Sequence, residues 1–410
     1  MMINAGSLAK RAWVRWAGAL CLLGGVVLSV LLAAAPSAAQ TAGPIKIGVL
    51  HDLTGPLSVM GKDFNEGLKL YMSEINYQIA GRKIELIFED PESKVDPGIT
   101  KMRKLVEKDK VNLILGPINS GLAYAMRDYV DRNKVPTVLT MATATDLTQG
   151  KSSPYVFRTS YGSEQLNVVA GWYALKKLGY KRAIVMGLDY TGGREQAGGF
   201  VKGFKQAGGT VVGEIYAPLG TADWAPYLTK VKADLDKTDF VAIILWGPDA
   251  IRVIRGFTEY GLIGVKPVFV HGNAVDEALL PSEGDAALGI LSFLTYSPTV
   301  KTPENERFKE LFRKQYAKEP SSYHEMTYLA AKVVGEAIRH VNGKIEDTPR
   351  FMAELRKIQM ETPQGHFRFD DKQNAIIDLH VRKVEKVNGV LVNTYLERVS
   401  GIPQSWTPPR

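Results

Sequence analysis

The sequence predicts an α/β chain of two lobes, each a doubly wound unit around a parallel sheet. Three observations carry this. Short apolar runs alternate with segments of helical periodicity, the alternation starts again after residue 180, and no Pro/Ser/Gly-rich tether parts the two halves.

The first unit opens with the apolar strand Lys46–Leu50. Lys62–Ile79 follows, with Phe64, Leu68, Tyr71, Ile75 and Ile79 on one helical face. Lys83–Phe88 reads as a second strand, and Asp96-Pro97 as an N-cap with proline in the first turn of a helix. Val111–Leu115 is the third strand, a helix runs from about Ser120 to Asp131, and Val135–Leu139 is the fourth strand. The second unit has strands at Arg182–Met186, Thr210–Tyr216, Phe240–Leu245 and Pro267–Val270. Helices near Glu195–Ala207, Trp224–Leu235 and Asp249–Tyr260 lie between them. Two more helices, near Asn305–Tyr316 and Glu325–His340, precede a strand-rich end that begins at Gly365. Parallel strands with helical crossovers are covered on both faces. The expected lobes are 45–160 with 295–364, and 162–291 with 366–400, the chain crossing near Ser160–Gly162, Leu291–Thr295 and Pro363–Phe369.

Residues 1–39 read as a cleaved export signal. Lys10, Arg11 and Arg15 precede the uncharged run Ala17–Ala35, and Ser37-Ala38-Ala39 supplies small residues for cleavage. The rival is an uncleaved anchor holding a ligand-sensing module at the membrane, since the run approaches the ~20 residues that span a bilayer. The single cysteine, Cys21, falls inside this segment, so the remainder suits an oxidising compartment. The whole chain carries 51 basic and 43 acidic residues, a charge of +8. Without the signal it is +5, with the basic residues scattered over helix surfaces, which argues against a nucleic-acid partner. There is no GxxxxGK[ST], no GxGxxG between strand and helix, no HExxH and no GxSxG. No enzyme activity, cofactor or metal is expected.

Ligands of open parallel sheets collect beyond the C-terminal strand ends. There stand Ser120 in GPINSGLA, the threonine-rich LTMATATDLT, and Met60 in the loop LTGPLSVMG. A Ser between strand and helix is most often an N-cap. The same place also offers a hydroxyl and backbone N–H groups to an anion. Tyr190 and Trp246 follow strand ends in the second unit.

At these residues the chain resembles the periplasmic solute-binding proteins of the branched-chain amino-acid type, which serve ABC importers. KIGVLHDLTGPLSVMGKDFNEGLKLYMSEIN, LILGPINSG, PTVLTMATATDLT, YVFRTS, LDYTGG and EPSSYHEMTYLAA occur in that family's order, over about Ile45–Val399. The resemblance implies the type I periplasmic-binding fold, with a three-segment hinge and closure over one small molecule. It further implies an inner-membrane ABC permease with ATPase subunits as partner, and a periplasmic monomer. By the same resemblance Ser120 and Thr143 hold a ligand carboxylate, Met141 and Ala142 border it, and Met60, Tyr190, Trp246 and Tyr323 line an apolar part.

Amino-acid binders of the family hold the ammonium with an acid. Here Asn273 stands in that place, in VFVHGNAVDEALL, and a second acidic position reads Tyr161-Gly162-Ser163. An unpaired buried ammonium costs several kcal/mol. The expected ligand is therefore a carboxylate without an α-amino group, such as a benzoate or hydroxycinnamate, with Asn273 or His271 bonding a ring hydroxyl. A branched-chain or other amino acid is the alternative.

Overall fold

The computed structural model describes residues 43–150 and 152–409. The signal expected at 1–39 lies outside the described residues. No helix among the described residues is long and apolar enough to cross a membrane.

The first lobe is built on β1 (Ile45–Leu50), β2 (Gln78–Ile79), β3 (Arg82–Glu89), β4 (Leu113–Leu115), β5 (Thr137–Leu139) and β6 (Val156–Arg158), in the order β2-β3-β1-β4-β5-β6. All neighbours are parallel except β2 and β3. The first helix spans Ser58–Glu74, where the sequence predicts Lys62–Ile79. It stops because Asn76 and Tyr77 take positive φ, and Ala80-Gly81 (φ 49° and 76°) then turns a two-residue hairpin that places Ile79 in a strand. The next helix starts at Val95, so Asp96 lies inside its first turn and Lys94 is the cap residue.

The second lobe holds β7 (Arg182–Leu188), β8 (Thr210–Ala217), β9 (Phe240–Ile244), β10 (Val268–His271), β11 (Leu291–Leu294), β14 (Ile377–Val387) and β15 (Val390–Ile402), in the order β15-β14-β11-β10-β9-β7-β8. The five strands up to β11 are parallel; β14 adds antiparallel to β11, and β15 pairs antiparallel with β14. Phe200, Phe204, Phe240, Phe269 and Phe293 are fully buried and stack against one another on this sheet. Burying a ring of that size stabilises by roughly 2–3 kcal/mol.

After β11 the chain returns to the first lobe. Helix Ser322–His340 packs along helix Ser58–Glu74 so closely that glycine is needed on both. A Cβ at Gly67 would lie 2.0 Å from the His324 carbonyl, and one at Gly335 would lie 2.1 Å from the Tyr71 hydroxyl. β12 (Gln359–Thr362) and β13 (Gly365–Arg368) form a separate two-stranded sheet, and Phe369 sits edge-on to Phe157 of β6 at 4.9 Å.

Candidate functional site

Each sheet reverses its winding once. In the first the reversal lies between β1 and β4, in the second between β7 and β9. At such a point the loops leaving two adjacent strands diverge and open a crevice. Ser120 follows β4, Tyr190 follows β7 and Trp246 follows β9. The residues singled out in the sequence thus stand at both reversals.

The cap of helix Ser120–Arg132 is Asn119, whose Oδ1 accepts from the N–H groups of Gly121 (2.8 Å) and Leu122 (3.3 Å). Ser120 is therefore released from capping. Its Oγ instead accepts from Thr143 N (3.2 Å) and Ala144 N (3.3 Å). Thr143 Oγ1 accepts from Ser163 Oγ (2.9 Å) and Gln196 Nε2 (3.4 Å). A hydroxyl has two acceptor positions and one proton. On both residues the acceptor positions are filled, so each hydroxyl has only its proton left to offer. Two such donors suit an acceptor-only group with two oxygens, which is a carboxylate. The backbone N–H groups expected to share this work are engaged: those of Thr143 and Ala144 on Ser120, and that of Ala142 on the Pro117 carbonyl (3.2 Å).

Arg158, fully buried at the end of β6, holds this loop from beneath. Its guanidinium donates to the carbonyls of Ala142 (3.1 Å) and Ala144 and to Asn374 Oδ1 (2.9 Å). Burial lowers its pKa to about 10, so it remains charged. Helix Thr191–Gln206 brings its N-terminus to the same place; a Cβ at Gly192 would lie 3.2 Å from Ser120 Oγ and 3.3 Å from the Tyr190 ring. A helix N-terminus favours negative charge.

A run of ring contacts leads away from Ser120. Tyr190 meets Trp246 at 6.0 Å, Trp246 meets His271 at 6.1 Å, and His271 meets Tyr161 at 5.8 Å. Asn273 Nδ2 then donates to the Tyr161 hydroxyl at 3.3 Å. Tyr323 reaches the loop after β5 by another path, edge-on to Phe64, which packs on His51, and His51 bonds Thr140 Oγ1 at 3.0 Å. Met60 and Met141 are buried nearby in sequence, but no ring contact or hydrogen bond joins the Met60 side chain to the run among the described residues. The Trp246 indole N–H, the Tyr323 hydroxyl and Asn273 Oδ1 are buried without a hydrogen-bond partner among the described residues.

The acids following Asn273 are committed elsewhere. Asp276 Oδ2 accepts from Ser322 N (3.1 Å) and Oγ (2.5 Å), and Oδ1 from Ala278 N (3.1 Å). Glu277 Oε1 accepts from Asn393 Nδ2 at 2.8 Å, and burial pushes its carboxyl up to about 7.

One residue that sequence reasoning missed joins the lobes across this seam. Glu195, on the helix after β7, accepts from Thr145 N (2.8 Å) and Tyr124 OH (3.1 Å), both on the first lobe. Its negative charge also acts on Arg158, opposing the effect of burial on the guanidinium. Glu195→Ala is expected to speed ligand release about 3- to 10-fold, the worth of roughly one hydrogen bond, with little change in association. Stopped-flow dissociation would check it.

Asp63, Glu66 and His324 also converge, with His324 Nε2 3.4 Å from Asp63 and 3.0 Å from Glu66. His324 Nδ1 accepts from Ser321 N at 2.8 Å, which puts the ring proton on Nε2, and Lys318 stands 2.7 Å from Glu66. This is a helix cap in which Lys318 offsets one of the two carboxylates. A groove of about 1170 Å³ near it is lined by Val59, Asp63, Glu277, Lys318 and Val390, and contains none of the ten residues singled out in the sequence.

The described fold and site can be set beside known proteins. A solute-binding protein of an ABC transporter from Rhodopseudomonas palustris BisB5, solved with 3,4-dihydroxybenzoic acid, has a TM-score of 0.83 and 29% identity over 88% of this chain and 99% of its own. An ABC transporter substrate-binding protein from Sphaerobacter thermophilus gives 0.83 and 34%, over 88% and 99%. A Leu/Ile/Val-binding protein homolog 6 of Brucella melitensis is 29% identical over 86% of this chain and 90% of its own length. The family described as periplasmic binding protein matches residues 44–388. The chain belongs to that family.

Proposed function

We propose that this periplasmic binding protein captures a small aromatic carboxylate between its lobes and passes it to an inner-membrane ABC permease. One observation carries the reading: Ser120 and Thr143 are saturated as acceptors and have only protons to give. The edge-to-face wall of Tyr190 and Trp246 supports a ring beyond the carboxylate. The R. palustris BisB5 protein, with its dihydroxybenzoic acid, agrees. The name of the Brucella relative favours an amino acid instead, but both oxygens of Asp276 are paired, burial pushes Glu277 toward its neutral form with one oxygen on Asn393, and Asn273 carries no charge.

Function here is binding and closure, with no reaction. Ligand contacts from both lobes raise the closed population, which the permease would recognise. We take the lobes as 45–160 with 295–364 and 162–291 with 366–400, the hairpin β12–β13 straddling the last boundary. We take 1–39 as a cleaved signal, which N-terminal sequencing of the exported protein would test.

Calorimetry on protein unfolded and refolded free of carried-over solute tests the ligand. Benzoate or 4-hydroxybenzoate should bind with a Kd of about 1 μM or tighter, near 8 kcal/mol, and leucine should give no heat. Tight binding of leucine or valine with silence toward the benzoates would overturn the reading.

A further inference from the structure

Resting on that reading, we propose that His271, Tyr161 and Asn273 form a relay that reads a hydroxyl on the ligand ring, so that hydroxylated aromatic acids are preferred over unsubstituted ones. The His271 tautomer follows from one fixed point. Asn273 N is a backbone N–H and can only donate, and it lies 3.2 Å from His271 Nδ1. Nδ1 is therefore an acceptor, and the proton of the neutral ring sits on Nε2. Burial, with the nearby Arg382 charge, lowers the His271 pKa to about 3 and keeps the ring neutral.

Nε2–H points to the Tyr161 hydroxyl at 3.3 Å, and Asn273 Nδ2 donates to the same oxygen at 3.3 Å. Both acceptor positions of Tyr161 are filled, and its proton must go elsewhere. Asn273 Oδ1, on the amide that donates to it, is a buried acceptor with no partner among the described residues. Both side chains are fully buried. A free O–H donor thus stands beside a free acceptor.

A phenolic hydroxyl is the complement of that pair, since it accepts from Tyr161 and donates to Asn273. A hydrogen or methyl on the ring would leave both protein groups unpaired, and a site built to pair a hydroxyl rejects analogues that lack it. An ammonium, a donor only, would satisfy Asn273 and set its N–H against the O–H of Tyr161.

The test is calorimetry with 2-, 3- and 4-hydroxybenzoate, 3,4-dihydroxybenzoate, benzoate and 4-methylbenzoate, on the parent protein and on Tyr161→Phe and Asn273→Ala. At least one hydroxylated acid should bind about 10- to 100-fold tighter than benzoate and 4-methylbenzoate. Tyr161→Phe should shrink that ratio to within about threefold. Should Tyr161→Phe fail to fold, the same collapse of the ratio is required of Asn273→Ala. Equal binding of hydroxylated and unsubstituted acids by the parent, or an undiminished ratio in a folded variant, overturns the relay and leaves the aromatic-acid reading standing. If leucine binds and none of the aromatic acids does, both fall.

Discussion

Ser120→Ala combined with Thr143→Val is expected to weaken carboxylate binding by about 10³-fold. A hydrogen bond to a charged group contributes about 1.5–3 kcal/mol, so each substitution alone should cost roughly 10- to 100-fold. The two side chains differ in their secondary effects. Ser120 also accepts from Thr143 N and Ala144 N, so Ser120→Ala leaves two N–H groups of a buried loop unpaired and should lower stability by about 1–2 kcal/mol. Thr143→Ser keeps the hydroxyl and should stay within threefold of the parent. Titration calorimetry alongside urea unfolding separates the affinity loss from the stability loss. If the double variant binds within threefold of the parent, these hydroxyls do not hold the ligand.

Glu283→Gln is expected to stabilise the protein by about 3 kcal/mol at pH 7 and to change nothing at pH 4. Both carboxyl oxygens of Glu283 are buried without a partner among the described residues, and burial, with Asp276 nearby, pushes its pKa up to about 9. A carboxyl whose pKa is raised in the folded state contributes its full stability below 4.5, where both states are protonated. That stability is then lost between 4.5 and about 9, at about 1.4 kcal/mol per pH unit, because the unfolded chain ionises first. Glu325, raised by burial to about 8, and Asp52, raised to about 6, add losses of the same sign. Urea midpoints at pH 4, 7 and 8 would show the parent weakening with pH and the variant weakening less. Parallel curves would mean that Glu283 finds a partner.

Much of the scaffold was legible because it rests on local pattern. Strands as short as Leu113–Leu115 are marked by continuous apolar runs, and their ends located Ser120, Tyr190 and Trp246. Helix Ser163–Lys176 was not foreseen, because Leu166, Val168, Val169, Ala170 and Tyr173 are buried around most of its circumference and leave no periodic stripe. The three-residue β6 was missed because only Val156 and Phe157 are apolar before the charged Arg158. The bland expectation for Ser120, a helix cap, fails because the asparagine one residue earlier takes that role. Asn273 was noticed for the charge it lacks and as one of two partners for a ring hydroxyl. What it does depends on Tyr161, 112 positions away, and Arg158 and Glu195 likewise act on carbonyls and N–H groups that become neighbours only after folding. No spacing in the chain could announce such pairs.

The glycine-lined contact between Ser58–Glu74 and Ser322–His340 also sets an order of events during synthesis. Phe64 and Tyr71 lie near the start of the chain, yet the rings that cover them, Tyr323 and Tyr328, are made more than 250 residues later. Until about residue 340 of 410 has left the ribosome, the early helix has no lid for its apolar face. The packing of this helix is therefore completed only late in synthesis.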